Sequence, residues 1–184
     1  MVSDQQLLSL LERETIANAP AIIQAFNQLG PEPAVGFTLA ACLAVVENES
    51  SGENVWGHDP WNQAEYPKGE AHPPGPPVDP VTQESYTAYK LLRDEGYQPQ
   101  GCGPCQLTSP DLQVAAERAG GCWIPVHNCY IGFGYLRRLF MAYQGAAGGF
   151  AAYNGSGPAA AAYAGRAMSW TARWQAMIND LEHA

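Results

Sequence analysis

The chain has 184 residues, a size that fits one domain, and its 18 acidic and 9 basic side chains give a net charge of −9. Because the basic side chains are few and scattered, sequence-independent binding to nucleic-acid phosphates is disfavoured. No apolar run reaches the about 20 residues of a membrane-spanning helix. The N-terminus lacks a cationic segment followed by an apolar core, so we expect no signal peptide. We expect a single domain with a helical lead, residues 1–36, and a motif-bearing core, residues 37–184.

The spacing of apolar residues predicts a mostly helical fold. In chain order, the predicted helices cover residues 5–13, 21–29, 37–46, 82–95, 111–119, 126–143, 158–168 and 170–181. The third is apolar at nearly every position, which predicts a central helix surrounded by other elements. Six prolines between residues 67 and 80 exclude a helix interior and predict a long loop, and residues 144–149 are also expected to be loop. Strand alternation is almost absent, so the predicted class is mainly α with little β.

Two carboxyl groups, those of Glu47 and Glu49, stand where the central helix is expected to end. Apolar neighbours and the negative end of the helix dipole both disfavour an ionised carboxylate, so we expect raised pKa values here. A carboxylic acid that keeps its proton near neutral pH can protonate the leaving oxygen of a glycosidic bond. Helical periodicity does not choose between the two residues. The alternative is that both lie in solvent at a frayed helix end.

Three separated segments carry motifs in a recognisable order. They read Glu49-Ser50, then Gly103-Pro-Cys-Gln106, and finally Ala152-Tyr-Asn154. A Glu-Ser at a helix end, a Gly-x-x-Gln segment and an Ala-Tyr-Asn segment in this order resemble the lysozyme-like soluble lytic transglycosylase superfamily. Longer strings around these motifs resemble more closely the muralytic glycosidase domain of endolysins from phages of mycobacteria and related actinobacteria. These strings cover residues 47–59, 103–108, 121–123 and 153–158.

The resemblance implies a lysozyme-like fold and an enzyme without metal or cofactor. Such an enzyme binds peptidoglycan glycan strands and cleaves the β-1,4 bond between N-acetylmuramic acid and N-acetylglucosamine. By the same resemblance, Glu49 matches the catalytic acid and Ser50 follows it. Gln106 matches a cleft glutamine that contacts substrate or backbone, whereas Tyr153 and Asn154 match a pair that faces the acid across the cleft. The middle of the Gly-x-x-Gln segment departs from the usual Leu-Met.

The loop after the central helix supplies further candidates. A retaining hydrolase needs a second carboxylate about 5 Å from the acid and an inverting one about 6.5 to 9.5 Å from it. Asp59 is the first candidate and Glu53 the second; without either, the 6-hydroxyl of the sugar attacks, as in transglycosylases. Trp56 and Trp61 are expected to offer flat faces to sugar rings, because Gly, Asn and Pro around them indicate a loop beside the acid. His58 is either a substrate contact or a residue that hydrogen-bonds within the loop.

Five cysteines, at positions 42, 102, 105, 122 and 129, leave disulfides, free thiols and a zinc site as alternatives. The resemblance favours a Cys105–Cys122 disulfide, with Cys102–Cys129 as a second bridge. Cys42, inside the central helix, is expected to be a free buried thiol.

Two other function classes compete with a glycosidase. Cys105 with His127 would form a thiol nucleophile and its base, giving a peptidase or amidase that acts on peptidoglycan stems. A non-catalytic wall-binding module is the second alternative. The resemblance to phage lysis proteins implies an antibacterial monomer made in the host cytoplasm. It would reach the bacterial cell wall after another protein permeabilises the membrane.

Overall fold

The computed structural model of the chain describes residues 2–57, 80–96 and 99–183. Within these ranges, the chain forms eight α-helices. Their bounds are Asp4–Arg13 (α1), Ala19–Leu29 (α2), Leu39–Glu49 (α3), Gln83–Asp94 (α4), Pro110–Ala119 (α5), Pro125–Ala142 (α6), Ala146–Asn154 (α7) and Gly157–Glu182 (α8). The same ranges contain isolated β-bridges but no β-strand, which confirms the predicted mainly helical class. None of the described helices is long and apolar enough to cross a membrane.

Helix α3 is the central helix that the apolar run predicts. Its N-terminus is capped by Thr38, whose Oγ1 accepts a hydrogen bond from the backbone N–H of Ala41 (3.2 Å). All side chains from Ala40 to Val46 are buried, and α8 packs along this helix. The helix continues to Glu49, three residues beyond the predicted end. Both candidate acids therefore lie in the last helical turn and not in a frayed coil.

Two predictions about the C-terminal half are wrong. Residues 144–149, expected to be loop, include the start of α7. Gly149 packs so closely on α6 that a Cβ there would lie 2.2 Å from Cδ1 of Phe140, so tertiary packing overrides the low helix propensity of glycine. The two terminal helices are in fact one, the 26-residue α8, which runs without interruption through Met168. The proline-rich segment 67–79 lies outside the described residues.

A buried polar network joins α4 to α5. The guanidinium of Arg93, 8% exposed, donates to Oε1 of Gln113 (2.9 Å) and to the hydroxyl of Tyr86 (3.3 Å). The Tyr86 hydroxyl in turn donates to Oε1 of Glu117 (2.7 Å), which also accepts from Arg93 (3.3 Å). A buried cation is tolerated only when its donors are satisfied, so this network fixes how α4 sits on α5.

Removing the Tyr86 hydroxyl tests that network. Tyr86→Phe is expected to lower the free energy of unfolding by about 1 to 2 kcal/mol, because Arg93 and Glu117 each lose a partner while the ring remains. Urea unfolding followed by circular dichroism measures the change. Tyr143→Phe is the matched control: Tyr143 is 59% exposed, and its variant should stay within about 0.5 kcal/mol of the parent. Equal losses in both variants would show that the network adds nothing.

Candidate active site

The three motif segments meet at the C-terminal end of α3. The hydroxyl of Ser50, the residue directly after α3, donates to the carbonyl oxygen of Pro104 (2.8 Å). The hydroxyl of Tyr153, in the last turn of α7, donates to the carbonyl oxygen of Cys105 (2.8 Å). The turn that follows Gly103 is therefore held by Ser50 and by Tyr153. The structure thus brings together residues that lie about fifty positions apart in the chain.

Gln106 organises this turn from within. Its backbone adopts a positive φ of 46°, and its amide nitrogen donates to the carbonyl oxygens of Val55 (3.0 Å) and Gly103 (2.9 Å). Gly57 and Gly101 leave room for its Oε1, since a Cβ at either position would lie within 2.4 to 2.5 Å of that oxygen. The contacts of the Gln106 amide are accordingly with backbone, one of the two roles expected for it.

Glu49 holds a partly buried carboxyl group beside a tyrosine of α8. The hydroxyl of Tyr163 donates to Oε1 of Glu49 at 2.6 Å. The second oxygen, Oε2, has no hydrogen-bond partner in the part of the chain that the structure describes. Burial raises the pKa of Glu49, and the hydrogen bond from Tyr163 and the charge of Arg166 offset part of that rise. The arrangement favours a carboxyl group that is protonated more readily than an exposed glutamate.

Glu47 is bound differently, and this separates the two candidate acids. Its Oε2 accepts from the indole nitrogen of Trp174 (2.6 Å), and its Oε1 accepts from Arg173 (2.8 Å). Arg173 also pairs with Glu14, next to α1 (2.5 Å). Burial raises the pKa of Glu47, against the lowering effects of Trp174 and Arg173. Since both oxygens of Glu47 are engaged by α8, we assign it a role in holding α3, α8 and the end of α1 together.

Tyr163 is a site residue that the sequence reasoning missed. Its ring lies nearly parallel to that of Tyr153, with 6.5 Å between centroids and 17° between planes. The guanidinium of Arg166 lies 5.9 Å from the Tyr163 ring centroid. The sequence signal for Tyr163 was that it is the one aromatic residue of the Ala-rich segment 158–168, at the spacing of the buried residues Ala160 and Ala167. That pattern indicates a buried position, but it does not indicate Glu49 as the partner.

Trp56 is a correction to the predicted sugar-binding surface. Its side chain is 7% exposed and packs against Tyr86 (6.1 Å between centroids, 9° between planes) and Tyr89 (4.9 Å). The expectation that this ring offers an open face is wrong, because the faces of the indole are used in an aromatic cluster with residues of α4.

The remaining predicted residues fall into two groups. Asn154 ends α7 and is exposed, and Glu53 is exposed in the turn after α3. His58, Asp59 and Trp61 lie outside the described residues. The second carboxylate that a hydrolase requires therefore stays a prediction.

The cysteine pairing implied by the resemblance does not match the neighbours in the structure. All five cysteines are buried thiols, as predicted for Cys42. Sγ of Cys102 lies 3.2 Å from Sγ of Cys122, whereas Cys105 neighbours Cys129. The predicted pairs, Cys105 with Cys122 and Cys102 with Cys129, are thus exchanged. No group of three or more His, Cys, Asp or Glu residues in the described ranges is placed to hold a metal ion.

Cys105 lacks the surroundings of a catalytic thiol. It is fully buried, and its side chain packs so closely on α6 that a Cβ at Gly132 would lie 2.7 Å from Sγ. Burial raises the pKa of the Cys105 thiol, with Cys129 adding to the rise. A nucleophilic cysteine requires an accessible thiolate, so this geometry gives no support to a thiol peptidase built on Cys105 and His127.

The chemistry of the site rests on the groups around Glu49. They are a carboxyl group of raised pKa, a tyrosine hydroxyl bound to one of its oxygens, and a turn pinned by Ser50 and Tyr153. No protein-family model, curated protein or solved structure matches the chain. The carboxyl group of Glu49 in these surroundings can donate a proton and later accept one.

Proposed function

We propose that the chain is an endolysin-type glycosidase that cleaves the β-1,4 bond between N-acetylmuramic acid and N-acetylglucosamine in peptidoglycan, with Glu49 as general acid. The observation that carries this proposal is the state of Glu49: its pKa is raised by burial, and only one of its oxygens is bonded among the described residues. Supporting it, the three motif segments that resemble lysozyme-like transglycosylases meet at the end of the helix that carries Glu49. The enzyme acts as a monomer on the wall, after the membrane has been permeabilised.

The proposed mechanism follows from the geometry of Glu49. Its carboxyl group donates a proton to the bridging oxygen, and the bond from that oxygen to C1 of the muramic acid breaks. The hydroxyl of Tyr163 stabilises the carboxylate that results, because a hydrogen bond to an ionised acceptor is stronger than one to a neutral acceptor. Glu49 then takes a proton from the nucleophile that attacks C1. That nucleophile is water in hydrolysis or the sugar's own 6-hydroxyl in transglycosylation.

Mass spectrometry of the fragments released from purified cell walls tests the reaction class. A reducing N-acetylmuramic acid end indicates hydrolysis, and a 1,6-anhydro end indicates transglycosylation; either result supports the proposed bond. Free stem peptides would replace the proposal with a peptidase or amidase. Binding to walls without any release would replace it with a wall-binding module.

The pH dependence of cleavage tests the contact between Tyr163 and Glu49. The acid works in its protonated form, so activity is lost as the pH rises through its pKa. The Tyr163 hydroxyl favours the ionised form and lowers the pKa of Glu49. In Tyr163→Phe the pKa therefore rises further, and the alkaline limb of the pH–activity curve moves to higher pH. The maximum rate should fall no more than about tenfold, the worth of one hydrogen bond. A limb that moves to lower pH, or does not move, would contradict this role.

A further inference from the structure

We propose that Cys102 and Cys122 form an intramolecular disulfide when the chain meets oxidising conditions. This inference goes beyond the proposed function and does not depend on it. The two sulfur atoms lie 3.2 Å apart, and both side chains are fully buried. An S–S bond of about 2.0 Å requires them to approach by only about 1 Å more.

Asn128 fixes the backbone positions of the two cysteines relative to each other. Its side-chain amide nitrogen donates to the carbonyl oxygens of Cys102 (2.8 Å) and Cys122 (3.4 Å). Its Oδ1 accepts from the backbone N–H of Cys105 (3.0 Å). Asn128 is itself fully buried near the start of α6, so this clamp is a fixed part of the core. The backbone of both cysteines is therefore positioned before any bond forms.

The same contacts of Asn128 disfavour the Cys105–Cys122 pair implied by the resemblance. Gly103 lies directly on Asn128, since a Cβ at Gly103 would come 2.5 Å from its amide nitrogen. The side chain of Cys105 packs from this turn against α6, where Gly132 and Cys129 lie. To reach Cys122, Cys105 would have to withdraw the turn from Asn128 and from the hydroxyl of Tyr153.

The oxidant we assign is a low-molecular-weight disulfide. One cysteine thiolate attacks it, forms a mixed disulfide and releases one small thiol; the second thiolate attacks the mixed disulfide and releases the other. The two electrons lost by the cysteine sulfurs reduce the S–S bond of the reagent to two thiols. Burial raises the pKa of the Cys102 thiol, so thiolate is scarce in the folded state. Exchange therefore proceeds during folding or through local opening, and it is slow in the native protein.

A bond between these residues closes the segment 102–122, which contains the turn held by Ser50 and Tyr153 and the whole of α5. Cross-linking a loop of this length restricts the unfolded chain, and the bridged form should melt about 6 to 12 °C above the reduced form.

The pairing is tested with the full chain and three double variants. Cys105→Ser with Cys129→Ser leaves the pair Cys102 and Cys122. Cys102→Ser with Cys129→Ser leaves Cys105 and Cys122, and Cys105→Ser with Cys122→Ser leaves Cys102 and Cys129. Each protein is refolded in oxidised and reduced glutathione, free thiols are alkylated, and trypsin is added without reductant. A bridge then joins peptide 94–118 to peptide 119–137 in the mass spectrum.

The first double variant is expected to give at least tenfold more linked peptide than either of the other two. Equal or greater yield from a mismatched pair would overturn the assignment, and so would the absence of linked peptide in every protein. Circular dichroism shows whether each variant folds. If one does not, fragmentation of the linked peptides from the unmodified chain places the bond at Cys102 or at Cys105, and a bond from Cys105 to Cys122 overturns the proposal.

Discussion

Replacing Glu49 by glutamine is expected to slow glycan cleavage by about 100- to 10,000-fold while the chain stays folded. The amide keeps the shape of the carboxyl group and still accepts the hydrogen bond from Tyr163, but it has no acidic proton to give to the leaving oxygen. Loss of turbidity of a wall suspension measures the rate. The melting temperature should stay the same or rise, because the variant no longer carries the cost of burying a charge.

Glu47→Gln is the matched control, two residues away on the same helical turn. It loses the ion pair with Arg173, whose side chain is 46% exposed, and keeps an acceptor for Trp174. We expect a loss of about 1 kcal/mol of unfolding free energy and cleavage within about threefold of the parent. An inactive Glu47→Gln together with an active Glu49→Gln would reverse the assignment of the acid.

Gly52→Ala is expected to cost about 2 to 5 kcal/mol of unfolding free energy. Gly52 adopts a φ of +81° in the turn directly after α3, a conformation that a residue with a Cβ adopts only under strain. A Cβ there would also lie 2.2 Å from the carbonyl oxygen of Ala17, in the segment between α1 and α2. The turn is held against that segment by a hydrogen bond from Asn18 to the Gly52 carbonyl oxygen (2.8 Å). Urea unfolding gives the cost.

Gly96→Ala separates the two causes of that cost. Gly96 also has a positive φ, +95°, but no atom of the described residues lies within 4 Å of the Cβ position. Its variant carries the backbone strain alone, about 1 to 2 kcal/mol. If Gly52→Ala lost no more unfolding free energy than Gly96→Ala, the backbone of Ala17 would have moved aside for the added methyl group.

The helices could be predicted from the sequence because local patterns determine them. The apolar run before Val46 marks a buried helix whatever its neighbours are, and most helix bounds follow from periodicity. The start of α7 could not be predicted this way, since Gly148 and Gly149 argue against a helix until α6 is in place. Distant packing decided the outcome there.

The site was predictable only in part, for a similar reason. Glu47 and Glu49 are equivalent by helical periodicity, and they become different only when α8 brings Trp174 to one and Tyr163 to the other. These partners lie more than a hundred residues away in the chain. The burial of Trp56 likewise depends on α4, which no local pattern connects to that loop.

The N-terminal helices determine where this chain can be joined to another domain in a chimera. Buried residues of α1 and α2 belong to the same hydrophobic cluster as those of α3 and α6. Arg137 of α6 binds the Leu29 carbonyl oxygen (3.2 Å) and the carboxylate of Glu32 (3.1 Å). A chimera that began at Phe37, where the motif-bearing region starts, would lack the α1 and α2 side of that cluster. It would also leave Arg137 without the Leu29 carbonyl oxygen and the Glu32 carboxylate. Swaps that preserve residues 2–36 keep the scaffold intact.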